Sequence, residues 1–343
     1  MTGDAENGHH STPGDVAQGR KVYGWNPLRD SRCTRVVSPL LVRPTIPGKT
    51  PQAGRAISAG GPADVLGRIL AQKLTESIGA PVIVDNRAGA DGIIGTDLVA
   101  KSPADGYTML INTGSTTINA HVYSKLPYDL MRDLAPVAMV APPRSLLMIA
   151  HPSLGVGSVS ELIALAKQRP GQISFSSSGK GSVLQLAGEL FAARTKVQLL
   201  HVPYKGAAPA FNDLLSGQVQ LMFPSTITVM PLIGSGRVRV LAQTGSVREP
   251  ILPNVATLAE EGLGDFNLTG WFGTWVPART PDQILRKLNA EIARALMLAD
   301  VRERLAALGV TPSSMSPEEF GRFVREDYER VGKYVKEVGM HLD

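Results

Sequence analysis

The chain has 343 residues, of which 43% are hydrophobic and 19% charged, with 35 glycines and 25 prolines. This length suits two ordinary domains, and the high glycine and proline content favours an α/β protein over a helix bundle. Residues 1–55 supply +4 of the formal net charge of +5, so the rest of the chain lacks a basic stripe, and no nucleic-acid partner is expected.

Residues 1–55 show no helical or strand period and are rich in proline, glycine and scattered arginine. This composition predicts an atypical, disordered leader. Residues 1–20 contain no apolar stretch of a secretory signal, and the apolar patch 36–42 is short and interrupted by Pro39. The single cysteine, Cys33, excludes an internal disulfide and lacks partners for a zinc site. No apolar run approaches the roughly 20 residues that span a bilayer.

From Gly60 onwards, helical and strand patterns alternate regularly. The predicted helices cover 65–74, 93–101, 160–168, 183–193, 209–215, 281–298 and 317–338. The predicted strands cover 81–85, 107–111, 137–140, 146–150, 173–175, 199–203, 219–223 and 238–244. Trp271 and Trp275 alternate with small residues as on a further strand, where they either line a cleft or pack in the core. This alternation predicts mainly parallel sheets with helices on both faces.

Four loops that join strands to helices are rich in glycine and hydroxyl side chains. They are 60–64, 112–117, 176–182 and 204–209. In α/β sheets, ligands bind where such loops run from the carboxyl ends of strands into helix N-termini. Backbone N–H groups at helix starts bind anions, so the four loops together predict an anion site, although each loop alone is explained by helix capping.

No catalytic pattern is found in the sequence. The segment around Lys180 does not fit the spacing of a phosphate-binding loop, and no G-x-S-x-G nucleophile turn occurs. The six histidines lack the spacing of metal ligands, and His151 and His201 read as hydrogen-bonded structural residues at strand ends. The sequence therefore predicts no enzyme, no metal and no cofactor. The alternative of an enzyme acting on a small acid lacks a pair of titratable groups placed for acid–base work.

Several ordered motifs resemble the receptors of tripartite tricarboxylate transporters, also called the Bug family of periplasmic solute-binding proteins. The motifs are GGPAD at 60–64, VDNRAGADG at 84–92, SPADGYT at 102–108, HVPYKGAAPA at 201–210 and DLLSGQV at 213–219. The resemblance runs from about Gly60 to the C-terminus. It implies a two-lobed, type II periplasmic-binding-protein (Venus-flytrap) α/β fold with a ligand cleft between the lobes. Residues 56–143 plus 243–343 would form lobe 1, and 144–242 would form lobe 2.

The resemblance also implies an extracytoplasmic receptor that binds a small carboxylate and delivers it to a membrane permease. The carboxylate would be a di- or tricarboxylate, an aromatic acid or a similar compound. The implied location is the periplasm, the implied partners are the permease subunits, and the receptor would be a monomer. The implied ligand contacts are Gly60, Gly61, Ser115, Thr116, Ser177, Gly179, Ser182, Tyr204, Gly206 and Ser225. A carboxylate-sensing regulatory receptor without transport is the alternative.

The sequence departs from the family pattern at three places. Family members open with an apolar strand that runs directly into a proline-containing loop before the Gly-Gly pair, whereas 52–59 is a poor strand here. We therefore expect that residues 1 to about 57 are not the ancestral N-terminus, and that the first strand is missing. Pro224 and Ser225 stand where the family places an Asp and a small polar residue, which predicts a plain carboxylate rather than an amino acid as ligand. Lys180 would attract a second carboxylate if it faces the cleft.

Overall fold

The structure, a computed structural model, describes residues 35–38, 60–87, 89–313 and 315–342. Strands and helices alternate along most of this part of the chain, as predicted. The strands are β1 Arg35–Ser38, β2 Ile83–Asn86, β3 Thr108–Thr113, β4 Leu134–Ser145, β5 Leu147–Ala150, β6 Ile173–Ser177, β7 Leu199–Pro203, β8 Leu221–Met222, β9 Arg239–Gln243 and β10 Thr269–Pro277. The helices are α1 Pro62–Ile78, α2 Ile93–Ala100, α3 Ser115–Val122, α4 Leu130–Asp133, α5 Val159–Gln168, α6 Val183–Thr195, α7 Ala207–Leu215, α8 Thr226–Val229, α9 Asp282–Met297, α10 Ala299–Ala307 and α11 Pro317–Val338.

The strands form two five-stranded sheets with the same plan. The first sheet has the order β2-β1-β3-β10-β4 and the second has the order β7-β6-β8-β5-β9. In each sheet the first three strands are parallel, and the remaining pairings are antiparallel. The prediction of mainly parallel sheets is therefore wrong. Helices connect the parallel strands of each sheet. The antiparallel pairings involve the strands at which the chain enters or leaves a sheet.

The strand expected to be missing before Gly60 is present, but it lies further upstream. Strand β1, Arg35–Ser38, pairs in parallel with β2 on one side and with β3 on the other. It is therefore a central strand of the first sheet, and the prediction that the first strand is missing is wrong. The predicted leader 1–55 otherwise lies outside the described residues, as do Cys33 and the segment 52–59. The predicted origin of residues 1–57 stays a prediction.

The chain passes between the two sheets at two neighbouring places. Strand β4 ends at Ser145 and β5 begins at Leu147 in the other sheet, while β9 leads back to β10 through residues 244–268. The two passages are bonded to each other: Leu146 N–H donates to the Thr244 hydroxyl at 2.9 Å, and Thr244 N–H donates to the Leu146 carbonyl at 3.0 Å. Two sheets joined by paired crossing segments agree with the implied two-lobed fold. The lobe boundaries at 143/144 and 242/243 stay predictions.

Each sheet is covered by its own apolar core. One core packs α1, α9 and α10 against the first sheet, and another packs α5 and α6 against the second. A third, aromatic cluster joins Trp271 and Trp275 of β10 to Phe320 of α11, with ring centroids 5.3–5.7 Å apart. Both tryptophans are 1% exposed. The strand predicted for them is confirmed, and its inner face is part of a packed core.

Local sequence explains where the main helices begin and end. Helix α1 begins with Pro62 and ends at Gly79, which adopts the left-handed conformation that favours glycine. Helix α11 begins with a capping box in which Ser316 and Glu319 satisfy each other's backbone N–H groups. Among the described residues, none of the helices combines the length and apolar character that a membrane span requires.

Candidate functional site

A cavity of about 400 Å³ is lined from both sheets. From the first sheet come residues at the start of α1, in the loops after β2 and β3, and on β10. From the second sheet come residues of the loops after β6, β7 and β8. The parallel strands thus present their carboxyl ends to one shared space, which is where α/β sheets bind ligands.

Five helices of eight or more residues begin at this cavity. They are α1, α2 and α3 from the first sheet, and α6 and α7 from the second; the lining residues at their starts are Gly61, Gly92, Ser115, Val183 and Ala207. Helices α1 and α7 begin at glycines, and no side chain caps their first turns. Each helix start carries a partial positive charge and N–H groups without partners in the helix. Their convergence makes the cavity favourable for an anion.

Two lysines add full positive charge to the same wall. Lys180 follows β6 and Lys205 follows β7, and both line the cavity. Both lysines are exposed to solvent. Within the described part of the chain, neither lysine has a carboxylate partner. That the Lys180 side chain faces the cleft stays a prediction.

The cavity also contains a carboxylate that lacks a full set of partners. Asp91 lies in the turn before α2, and its Oδ1 accepts a hydrogen bond from the Ser178 hydroxyl at 3.0 Å. Its Oδ2 is buried and has no hydrogen-bond partner among the described residues. Burial raises the pKa of Asp91 from 3.8 to about 6, although the hydroxyls of Ser115 and Ser178 act to lower it. The wall of the cavity therefore contains a carboxyl group whose negative charge is costly to bury.

The second carboxylate of the cavity wall is satisfied internally. Asp64 accepts hydrogen bonds from Gly60 N–H at 2.9 Å, from Arg68 Nε at 3.1 Å and from Asn86 Nδ2 at 3.2 Å. Burial acts to raise the pKa of Asp64, but the hydrogen bonds from Arg68, Gly60 and Asn86 outweigh it and hold the pKa below its usual value. Asp64 therefore anchors the start of α1, and it has fewer acceptor sites left for a ligand.

Six of the ten residues predicted as ligand contacts line the cavity. They are Gly61, Ser115, Gly179, Tyr204, Gly206 and Ser225. Not all of their polar groups point to open space. The Tyr204 hydroxyl donates to Asp213 at 2.6 Å, and burial together with Asp213 raises the pKa of Tyr204 to about 12. The Ser115 hydroxyl accepts from Val183 N–H at 3.1 Å, which joins α3 to the start of α6.

The other four predicted contacts lie outside the cavity lining. Gly60 is exposed at the turn before α1, where its N–H donates to Asp64. The hydroxyl of Thr116 donates to the Thr113 carbonyl at 2.8 Å, and that of Ser182 caps α6. Ser177 is the last residue of β6, is fully buried, and bonds His201. In these three residues the hydroxyl serves the local backbone or core.

Sequence reasoning missed several residues of the cavity wall. Asn86 is the last residue of β2, Asp91 follows that strand, and Asn112 lies near the end of β3. Trp271 and Phe272 belong to β10. Asp91 belongs to the family motif at 84–92, so the motif could have identified it as a residue of the cavity wall. The prediction of a plain carboxylate ligand rested on the absence of an acidic residue at 224–225. The structure places an acidic residue in the cavity from a different loop.

One pair of side chains has the composition of a nucleophile and a base. The Ser177 hydroxyl lies 2.7 Å from His201 Nε2, and the imidazole stacks on Phe175 with ring centroids 4.9 Å apart. Burial, with the nearby charge of Lys180, lowers the pKa of His201 to about 4. However, Ser177 is fully buried and does not line the cavity, so a substrate in the cavity could not reach it. The pair is therefore a packed hydrogen bond of the second sheet.

Two mixed sheets joined by paired crossing segments, with one cavity lined by helix starts of both, define a solute-binding protein of the periplasmic-binding type. Comparison with known proteins gives the family. Residues 66–340 match the family model described as the tripartite tricarboxylate transporter family receptor. The chain belongs to this family of solute-binding receptors, which includes the Bug proteins. The two-lobed α/β fold implied by the sequence motifs is confirmed by solved relatives.

Three relatives illustrate the similarity. Protein BugT of Bordetella pertussis is 38% identical over 300 residues, which cover 87% of this chain and 92% of BugT. R. palustris Rpa4515 with adipate is 36% identical with a TM-score of 0.79, and the match covers 83% of this chain and 96% of the other. MatC from Rhodopseudomonas palustris with bound malate is 29% identical with a TM-score of 0.77, covering 84% of this chain and 100% of the other.

Proposed function

We propose that this chain is an extracytoplasmic receptor that binds one small carboxylate and delivers it to a tripartite tricarboxylate-type membrane permease. The observation that carries this proposal is the convergence of five helix N-termini, three from the first sheet and two from the second, on a cavity that Lys180 and Lys205 also line. Partial charges at helix starts and two unpaired ammonium groups favour an anion over a neutral solute. Family membership supports the same class of ligand.

The ligand class is narrowed by the size and charge of the cavity. A volume of about 400 Å³ lies in the lower part of the range for small-molecule sites, roughly 300–1,000 Å³. Rpa4515 was solved with adipate and MatC with malate, and both ligands are short aliphatic dicarboxylates. Two lysines on one wall fit a ligand with a carboxylate at each end. We therefore propose a short di- or tricarboxylate as the first ligand to test.

The mechanism we propose is closure of two lobes on the ligand. Because contacts come from both sheets, a ligand in the cavity stabilises the closed form relative to the open one. A micromolar receptor needs about −8 kcal/mol of binding free energy. Several charge-assisted hydrogen bonds of about 1.5–3 kcal/mol each would supply it before entropic costs. The closed receptor, acting as a monomer in the periplasm, would then dock on the permease.

The test is binding by the full chain, because β1 lies in the segment before Gly60. Calorimetry and thermal unfolding would be run against mono-, di- and tricarboxylates, aromatic acids and acidic amino acids. A ligand at a hundred times its Kd stabilises the fold by about 2.7 kcal/mol. The double variant Lys180→Gln with Lys205→Gln should bind the best ligand at least about tenfold more weakly. Lys167→Gln, an exposed lysine on α5 outside the cavity, is the matched control.

A folded wild-type protein that binds none of these anions would refute the proposal. Equal losses of affinity in the double variant and in Lys167→Gln would refute the role given to the cavity lysines. Delivery to a permease is tested separately, by deleting the gene and measuring cellular uptake of the carboxylate identified in vitro. Uptake that persists unchanged would contradict transport while leaving the binding function intact.

A further inference from the structure

The carboxylate and amide oxygens of the cavity wall are not available to a ligand. They belong to Asp64, Asn86, Asp91 and Asn112. Asp64 is satisfied by donors of the protein, and Asn112 Oδ1 accepts a hydrogen bond from Thr113 N–H at 2.8 Å. The two oxygens without a partner, Asp91 Oδ2 and Asn86 Oδ1, are enclosed by the protein. A ligand O–H or N–H therefore meets no open side-chain carboxylate or amide oxygen in the described lining.

The hydroxyl groups of the wall are also engaged within the protein. Tyr204 donates to an aspartate of α7 at 2.6 Å, and Tyr123 donates to the Lys180 carbonyl at 3.3 Å. The hydroxyls of Ser225 and Thr228 bond each other at 3.4 Å. The remaining serine and threonine hydroxyls of the described lining have protein partners as well. An added polar group on a ligand would have to displace one of these bonds or stay unpaired.

The wall offers a ligand donors that suit carboxylates. No side chain caps the first turns of α1, α2 and α7, so their N–H groups lack side-chain acceptors. Lys180 and Lys205 add ammonium groups at exposed positions of the same wall. These donors bind the negatively charged ends of a ligand, and none of them can accept a hydrogen bond from a ligand O–H or N–H.

Apolar side chains of both sheets line the same cavity. Phe272 of β10, with Val183 and Leu184 of α6, each keep 5–8% of their surface accessible. Pro62 and Pro203 are more exposed and line the cavity too. A ligand that fills the cavity must therefore place part of its body against carbon atoms. A hydrocarbon body gains free energy from that contact, whereas a hydroxyl or ammonium group loses its water without finding a partner.

We propose that the cavity selects carboxylates with an unsubstituted hydrocarbon body, and that Val183, Leu184 and Phe272 determine this specificity. Counterparts with the same carbon skeleton that carry a hydroxyl or ammonium group bind less well. This inference rests on the proposed carboxylate-receptor function and narrows its ligand class. It also extends the prediction made from Pro224 and Ser225, because it disfavours hydroxy acids as well as amino acids.

The test compares matched ligands that differ in one polar group. The probes are succinate, malate and aspartate; glutarate, 2-hydroxyglutarate and glutamate; and benzoate with 4-hydroxybenzoate. Calorimetry on the full chain should find that the tightest-binding probe is a parent acid. That acid should bind about tenfold or more tightly than its hydroxyl- and ammonium-bearing counterparts, as expected when a polar group is buried without a partner. This comparison uses wild-type protein, so it does not depend on the folding of a variant.

The variant Leu184→Asn places an amide group on the wall with little change in side-chain size. It should weaken binding of the parent acid and reduce the preference to within about threefold, because the amide can pair with a polar group of the ligand. Leu200→Asn, the same change at a side chain that is 54% exposed and outside the cavity lining, should keep the full preference.

Wild-type protein that binds a hydroxyl- or ammonium-bearing probe as tightly as its parent acid would overturn the inference and leave the receptor function standing. A folded Leu184→Asn variant that keeps the full preference would overturn the role given to the apolar wall. Absence of binding to every probe and to the broader panel of anions would overturn both the inference and the receptor function.

Discussion

The charge of Asp91 should destabilise the ligand-free protein, and Asp91→Asn should relieve that cost. Asparagine keeps the shape of the side chain, tolerates the left-handed backbone at position 91, and can still accept a hydrogen bond from Ser178. Burial raises the pKa of Asp91 from 3.8 to about 6. At about 1.4 kcal/mol for each pH unit, this difference corresponds to about 3 kcal/mol. We therefore expect Asp91→Asn to be more stable than wild type by about 3 kcal/mol at pH 7.

The stabilisation should depend on pH in a defined way. Below pH 3.8 the carboxyl is protonated in both the folded and the unfolded chain, so wild type and variant should differ little. Between pH 3.8 and about 6 the unfolded chain releases the proton first, so rising pH favours unfolding of the wild type only. Above pH 6 the difference should be constant. Neighbouring Tyr123 and Tyr128 do not titrate in this range, because burial raises the pKa of both above the usual value of 10.0.

Urea unfolding of both proteins at pH 4, 5, 6, 7 and 8 without ligand would measure this difference. Other titrating groups cancel because they are common to both chains. Asp105→Asn, which changes an exposed aspartate in a turn, is the control and should show no such pH profile. Equal stability of wild type and Asp91→Asn at pH 7, or a difference that stays the same from pH 4 to 8, would refute the argument that Asp91 is ionised at a cost.

Three further changes test the packing around the site. Glu249→Ala should lower the free energy of unfolding by about 2 kcal/mol, because it leaves the half-buried Arg144 without its carboxylate and the buried Ser145 N–H without its acceptor. Urea unfolding would measure the loss, and a loss no larger than that of exposed Glu260→Ala would contradict it. Gly188→Ala should cost about 1–3 kcal/mol, because a Cβ there would lie 2.3 Å from the Phe175 ring; an unchanged melting temperature would argue against this close packing. Ser316→Ala should cost about 1 kcal/mol by removing the cap of α11, as measured by thermal unfolding, whereas Ser316→Asp should restore most of it.

Much of the fold could be predicted because its information is local. The spacing of apolar residues in α11 and the residues that begin and end it predicted its bounds, Pro317–Val338, directly from the sequence. The same holds for β7 and, within a few residues, for α2, α5 and α9. The glycine-rich and hydroxyl-rich loops were found because strands and helices with clear periods flank them. Helix starts that meet at one sheet edge then predicted the anion site.

The positions of individual side chains in the site could not be predicted in the same way. Ser177 and Ser178 are neighbours in one polar run, yet β6 continues through Ser177 and turns it into the core, while Ser178 lies on the cavity wall. Side chains alternate between the two faces of a strand, so an error of one residue in the strand end reverses the prediction. Asp91 was missed because its position depends on a turn with positive φ and on contact with a distant loop.

The sequence by itself determined the alternation of elements, the family motifs and the loops that approach a ligand. All three features depend on residues that are close together in the sequence, through the spacing of apolar residues, helix capping and the residues that form turns. Tertiary structure alone decided that Arg35–Ser38 is strand β1, placed between β2 and β3, and that β10 lies between β3 and β4. Strand pairing joins segments far apart in the chain, and a four-residue strand with two apolar residues carries no mark of its partners. The unpaired oxygen of Asp91 is likewise a property of packing, since it depends on every donor that the fold brings near or keeps away.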